Sequence, residues 1–308
     1  MRAVETPRSM EMGVHLPQID LLGGQLSGRR IVETVAAARS CGAVALSAND
    51  HFAFSVPWLD GLVALSMATQ HSGPLALMTS VTLAALRGPM PVASALAALS
   101  CLSSGQVIAG VGPGSSATDY HLVDQPFEER WSRFEATVIR LRELLGAGVP
   151  GDSNVLPASL AVGRQTIPIW LASWGSAAGL RRVARLGDGW LASAYNQTPE
   201  TFEIALNRLT ELCHDRSRAA LPHVVATMWL WITESSSDAE RVLARLADVL
   251  GRDQDELRPR VCIGSVKHCA ELLSRYATVG CQRIHFWPVG DEPRQISLLA
   301  DQVLPLVG

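Results

Sequence analysis

The sequence predicts an α/β fold, a single (β/α)8 barrel of the TIM type formed by residues 1–308. Three observations predict it. Eight short apolar runs recur along the chain, segments of helical spacing separate them, and no shift of composition divides the sequence into halves. Parallel strands buried on both faces read as continuous apolar runs, and regular alternation with helices places those helices outside the sheet. Such barrels typically take about 250 residues, so 308 suffice for one with insertions.

The runs, in order, are MGVHLP (12–17), AVALSA (43–48), LALMTSVTL (75–83), QVIAGV (106–111), IPIWLAS (167–173), GWLASA (189–194), HVVATMWLWIT (223–233) and RIHFWPV (283–289). Helical segments between them include RRIVETVAAARSCG, VASALAALSCLSSG and AGLRRVARLGDG. In FEERWSRFEATVIRLRELL, Trp131, Phe134, Val138, Leu141 and Leu145 fall three or four apart, the spacing of one helical face. Gly42, Gly105, Gly187 and Gly280 each precede a new run and read as helix stops. Residues 146–166, rich in Gly and Pro, read as a long excursion after the fourth helix, in the manner of a lid.

Composition narrows the function. The net charge is −3 and the basic residues are scattered, which removes the electrostatic case for nucleic acid or an anionic membrane. The most apolar window, residues 75–102, is broken by Arg87, Gly88, Pro89 and Pro91 and does not read as a membrane span. Residues 1–13 lack the apolar core of a signal peptide. Six cysteines without a Cys-x-x-Cys pair read as reduced thiols of a cytoplasmic protein. Cys262, His268 and Cys269 lack the second half of a zinc site, so no metal is expected.

The stretch VIAGVGPGSSATDY (107–120) looks like a phosphate loop. It has no Gly-Lys-Ser/Thr, so it is not a Walker loop. A dinucleotide fingerprint needs a third glycine where Ser115 stands and a helix at once, whereas the next clear helix starts near Pro126. The glycines, Gly112 among them, therefore fall at the C-terminal end of the fourth strand, where barrel active sites are built. There they serve either close approach to a flat ligand or a tight turn.

Read together, QVIAGVGPGSSATDYHLVDQPFEERWSRFEATV, IPIWLASWGSAAGLRRVARLGDGWL and LSANDHFAF resemble segments of the luciferase-like monooxygenase family, whose barrels use FMN or the deazaflavin F420. The resemblance covers nearly the whole chain and implies a flavin-type ring across the C-terminal mouth. In the F420-using branch a non-prolyl cis peptide ends the third strand, and Ser80 and Val81 stand at that place. The resemblance puts the cofactor phosphate where Ala172, Ser173 and Trp174 end a strand and Gly175 and Ser176 open a helix, an anion-binding arrangement; Ser193 adds a hydroxyl. Asp188 reads as ordering its turn.

Asp50 and His51 are the expected catalytic pair. His51 exchanges a proton with a substrate oxygen while hydride moves to or from the ring, and Asp50 hydrogen-bonds the cofactor's polar edge. His15 and Trp287 close their strands and line either the substrate pocket or the core. The chain departs from the family's Leu-Ser-Gly-Gly-Arg before the fourth strand, with Ser104 for a glycine and Gln106 for the arginine. It also carries Ser115 and Asn196 where the sugar-phosphate-oxidising branch has a glutamate and a lysine. The expected activity is hydride transfer between F420 and a small organic substrate. The alternatives are an FMN-dependent monooxygenase served by a separate flavin reductase, and a non-catalytic flavin-binding protein. An unrelated isomerase or aldolase barrel would need a Schiff-base lysine or metal carboxylates, and the sole lysine, Lys267, falls in a helical segment. The family also implies a homodimer.

Overall fold

The computed structural model describes residues 10–146, 160 and 166–308. Its strands are β1 (Glu11–His15), β2 (Ala45–Ala48), β3 (Ala76–Thr79), β4 (Val107–Val111), β5 (Ile169–Ala172), β6 (Gly189–Ser193), β7 (His223–Ile232), β8 (Cys262–Gly264) and β9 (Arg283–Pro288). Every ladder is parallel, and the order β6-β5-β4-β3-β2-β1-β9-β7 is closed by pairing of β6 with β7. That closure of eight strands is the predicted barrel. The ninth, β8, lies outside the ring and pairs only with the end of β7, Leu230 to Ile232. Three residues are too few to stand out as an apolar run, which is why the sequence pattern passes over it.

The helices are α1 (Gly28–Ser40), α2 (Gly61–Ser72), α3 (Ala84–Arg87), α4 (Pro89–Leu102), α5 (Ala117–His121), α6 (Arg130–Leu145), α7 (Ala177–Leu186), α8 (Pro199–His214), α9 (Ser236–Leu250), α10 (Gln254–Leu257), α11 (Val266–Thr278) and α12 (Glu292–Leu298). Local chemistry sets their starts. Ser27, Asp60, Ser176, Ser235 and Ser265 each accept a first-turn N–H, and Thr198 forms a reciprocal capping box with Thr201. Gly42 and Gly280 take the positive φ of a helix stop. Gly187 does not: its φ is −89°, and it ends α7 in an extended conformation. Gly105 is small for another reason, since any Cβ there would run into the Leu75 carbonyl.

Alternate strand residues face two environments. Val14, Leu46, Leu77, Ala109, Leu171, Trp190 and Ile284 pack outward against the helices. Met78, Ile108, Trp170, Leu191, Val224 and Ala226 form a second cluster within the cylinder. Rings fill the lumen over glycines: Trp170 lies on Gly189 and His285 on Gly13. At the strands' N-terminal ends, Arg283 donates from Nε to Glu11 Oε2 at 2.8 Å, tying β9 to β1.

On α6, Phe134, Val138 and Leu141 are buried as the spacing predicts, but Trp131 is 43% exposed, with the Arg182 guanidinium 4.6 Å from its ring. Apart from Leu160, which is buried, and its two end residues, the excursion at 146–166 lies outside the described residues. No described helix is long and apolar enough to cross a membrane, and no group of three potential metal ligands occurs among the described residues. His268 hydrogen-bonds the Val261 carbonyl at 3.2 Å.

Gly110 faces the lumen where a Cβ would collide with the Thr79 carbonyl. Gly110→Ala is expected to lower the unfolding free energy by about 1–3 kcal/mol, the usual cost of overpacking. Urea denaturation reads this directly, and an unchanged midpoint would contradict the packing described.

Candidate active site

The mouth of the barrel is organised from the segment after β2. Asp50 is 4% exposed, and its Oδ2 accepts from Thr82 Oγ1 at 2.6 Å, Leu83 N at 3.1 Å and Arg87 Nε at 2.7 Å. Its Oδ1 accepts from the Arg87 terminal nitrogen at 2.9 Å. Arg87 also pairs with Asp60, the residue that caps α2. Burial alone would make Arg87 less basic, but the bonds and charges of Asp50 and Asp60 outweigh it and raise its pKa. Burial likewise opposes ionisation of Asp60, and Arg87 with the α2 N–H groups overrides it, lowering the carboxyl's pKa. Asp50, read from the sequence as a partner of the cofactor's edge, thus has both oxygens engaged within the protein.

The next residue faces differently. His51 is partly exposed; its Nδ1 lies 3.2 Å from Asp119 Oδ2, and its Nε2 makes no hydrogen bond among the described residues. Asp119 Oδ1 accepts the N–H groups of Phe52 at 3.0 Å and Ala53 at 2.7 Å. Residues 51–58 line a cleft of about 410 Å³. Aromatic rings continue from it into the barrel: Phe54 and Trp58 lie 4.8 and 4.6 Å from the His51 ring. Trp58 meets the Trp287 ring edge-on at 5.6 Å, and Trp287 stacks between His15 at 3.7 Å and Trp229 at 4.2 Å.

His15 and Trp287 are both buried. Burial holds the His15 pKa down to about 3, against the small opposing effect of its bond to the Leu16 carbonyl. His15 Nε2, Ser47 Oγ, Ser80 Oγ, Trp229 Nε1 and both ring nitrogens of His285 are buried without a hydrogen-bond partner among the described residues. Buried polar atoms are nearly always paired, so several orphans from β1, β2, β7, β9 and the turn after β3 mark a place where something polar binds.

The Ser80–Val81 peptide is cis, as the resemblance implies. Ser80 N donates to the Ala48 carbonyl at 2.7 Å and Asp50 N to the Val81 carbonyl at 3.0 Å, which joins this turn to the end of β2. Val81 faces Gly112: a Cβ there would come 2.7 Å from Val81 Cγ2 and 3.6 Å from the Ala172 methyl. Three of the residues assigned to the cofactor therefore share one patch.

At the end of β5, Ser173 is buried and its Oγ accepts the Gly175 N–H at 3.2 Å. Gly175 has φ +90°, and a Cβ there would lie 2.9 Å from Gln197 Nε2. Ser176 caps α7, whose first-turn N–H groups have no intrahelical acceptors. Gln197 Oε1 is a further buried atom without a partner, set beside this turn. Ser193 Oγ accepts from Asn196 Nδ2 at 2.9 Å, and Asn196 Oδ1 accepts from Arg252 at 2.8 Å. Trp174 is instead 52% exposed. Asp188 orders its turn as expected, accepting Ile169 N at 2.9 Å and pairing with Arg142 at 3.1 Å.

These residues fit a flavin-type group. A helix N-terminus with a glycine entry can take the phosphate, while orphaned donors and acceptors at the mouth offer partners to a polar ring edge. Sequence reasoning missed Asp119, Arg87, Thr82, Trp58 and Gln197. A signal for Asp119 was present: Ser116-x-x-Asp119 is a capping pattern, and it starts α5, earlier than the helix expected near Pro126.

The sequence profile of the family described as luciferase-like monooxygenase matches residues 10–283. Among curated proteins, the F420-dependent glucose-6-phosphate dehydrogenase of Gordonia bronchialis is 27% identical over 55% of this chain and 54% of its own length. The chain thus spans about half the length of that relative. The enzyme of the same name from Amycolatopsis mediterranei is 25% identical over 91% of this chain and 95% of its own. Among solved structures, an F420-dependent secondary alcohol dehydrogenase in complex with an F420-acetone adduct shares the fold, with a TM-score of 0.79 and 16% identity over 97% of this chain and 99% of that one.

Two outcomes follow from the geometry. Arg87→Met leaves Asp50 buried without its cation and is expected to cost about 3–5 kcal/mol in urea unfolding; a loss under about 1 kcal/mol would refute the clamp. His15 titrates near 6.5 unfolded and about 3 folded, so between those values the unfolded chain holds the extra proton. Its contribution is complete above about pH 6.5 and declines as pH falls towards 3. His15→Gln is expected to flatten the dependence of stability on pH in that window by about 1.4 kcal/mol per unit, and equal slopes would show that His15 is not held neutral.

Proposed function

The chain belongs to the luciferase-like monooxygenase family, and on that premise we propose that it is an oxidoreductase that moves hydride between F420 and a small uncharged alcohol or ketone. One observation carries the reading. The cis Ser80–Val81 turn, Gly112 and Ala172 form one patch on the same mouth as His51 and the α7 N-terminus. Bound there, F420 supplies two-electron hydride chemistry.

The chain's own groups do the rest. Gly175, Ser176 and the first turn of α7 hold the phosphate, with Ser173, Ser193 and Gln197 around it. Ser80, Val81, Gly112 and Ala172 bear on the ring. His51 Nε2, without a hydrogen bond among the described residues, gives or takes the proton on the substrate's oxygen. Asp50 acts indirectly, fixing the backbone that carries His51 and the Ser80–Val81 turn. Phe54 and Trp58 pack the substrate's apolar body and keep water away, with Trp287 buried behind Trp58.

That aromatic wall favours an uncharged substrate over a sugar phosphate. Asn196, at the place of the phosphate-gripping lysine in the related branch, carries no charge and is held between Ser193 and Arg252. The name of the curated relatives therefore transfers as a cofactor class and not as a substrate.

Titration of the purified protein with F420 and with FMN, followed by absorbance and fluorescence, tests the reading. F420 is expected to bind, and Gly175→Val to weaken that binding on the order of tenfold, about 1.4 kcal/mol. Tight FMN binding without F420 affinity would favour the oxygen-using alternative, with its reductase partner. Affinity for neither would overturn the proposal.

A further inference from the structure

We propose that Asp119 is the positioning residue of His51: it fixes the imidazole in the tautomer with hydrogen on Nδ1, so that a bare Nε2 meets the substrate's oxygen. The inference rests on the reading of His51 as the group that exchanges that proton.

An ionised carboxylate can only accept hydrogen bonds. Asp119 is 1% exposed, and its Oδ1 is taken by the N–H groups of Phe52 and Ala53, the two residues after His51. Oδ2 is left for the imidazole, 3.2 Å from Nδ1. With an acceptor there, the hydrogen of a neutral ring sits on Nδ1 and the lone pair on Nε2. The same carboxylate holds the backbone that follows the ring, so it sets both the direction and the proton state of His51.

The chain builds a dedicated support for this group. After β4 the glycine stretch turns, Ser116 Oγ accepts the Asp119 N–H at 3.2 Å, and the Tyr120 hydroxyl is buried against the Pro113 carbonyl. Helix α5 has only five residues, yet it carries Asp119 across to the end of β2. The stretch 107–120, which looks like a phosphate loop, delivers a carboxylate to a histidine.

The proton balance is simple. When a substrate hydroxyl gives its proton to Nε2, the O–H bond breaks, an Nε2–H bond forms and the oxygen keeps the electron pair. The imidazolium retains its Nδ1–H on Asp119, whose negative charge stabilises it. In the reverse direction Nε2–H returns the proton to a carbonyl oxygen. Asp119 remains ionised throughout.

Nitrogen-15 spectra of the full-length protein with labelled histidine, recorded at about pH 8, above the usual imidazole range, test this without a known substrate. His51 is assigned by loss of its signals in His51→Gln. The expected wild-type pattern is Nδ1–H with bare Nε2. In Asp119→Asn the amide oxygen can still accept from Phe52 and Ala53, while its NH2 donates to Nδ1; the hydrogen should move to Nε2. Thermal unfolding checks that this variant folds, and Asp119→Glu, which restores an acceptor, should restore the wild-type pattern. Once a substrate is in hand, Asp119→Asn should lower kcat by about 10²-fold with KM little changed. Wild-type His51 with hydrogen on Nε2, or a pattern indifferent to Asp119→Asn, overturns the inference. A tautomer that does depend on Asp119, beside full turnover in His51→Gln, instead overturns the reading of His51 and with it the pair's catalytic purpose.

Discussion

The buried ion pair between Asp50 and Arg87 is the constraint on which the mouth of this barrel depends. Strand ends in an eightfold barrel are held by their ladders below and by little above. Here one carboxylate gathers the end of β2, the Thr82 hydroxyl and Leu83 N–H after β3 and the guanidinium of α3, and Arg87 extends the grip to the cap of α2. A buried charge left alone costs several kcal/mol, so this arrangement tolerates loss of neither partner. Its result is positional: His51 leaves the clamp in one direction and the Ser80–Val81 turn is pinned beside it.

Stability and chemistry are separated by face. Outward side chains of the strands are apolar and close against the helices, and Met78, Ile108, Trp170 and Leu191 cluster within the cylinder. Elsewhere within the barrel, histidine, serine and tryptophan side chains carry buried polar atoms that find no partner among the described residues. Desolvation keeps His15 and His285 neutral, so these rings offer hydrogen-bonding groups without buried charge. Neutral groups bordered by stacked rings suit an uncharged ligand better than an anion.

Much of this was legible from residue pattern, and the failures have physical causes. The eight apolar runs correspond to β1 to β7 and β9, because strands buried on both faces leave unbroken apolar signatures. Elements of three to five residues, β8 and α5, carry too few positions for periodicity to register, and α5 holds Asp119. The buried partner of Asp50 also escaped, since Arg87 is 37 residues away and the parallel pairing of β2 with β3 brings them together. Pairwise chemistry across strands is not written in local spacing. The resemblance to a family supplied what spacing could not, including the Ser80–Val81 turn, but not the bond between Asp50 and Arg87.

A crystal structure of the protein with F420 addresses the central claim most directly. The account predicts the ring system across the C-terminal mouth, against Val81, Gly112 and Ala172, with the phosphate on the N–H groups that open α7 at Gly175 and Ser176. Density for the cofactor at any other place, or a phosphate bound away from α7, would contradict it.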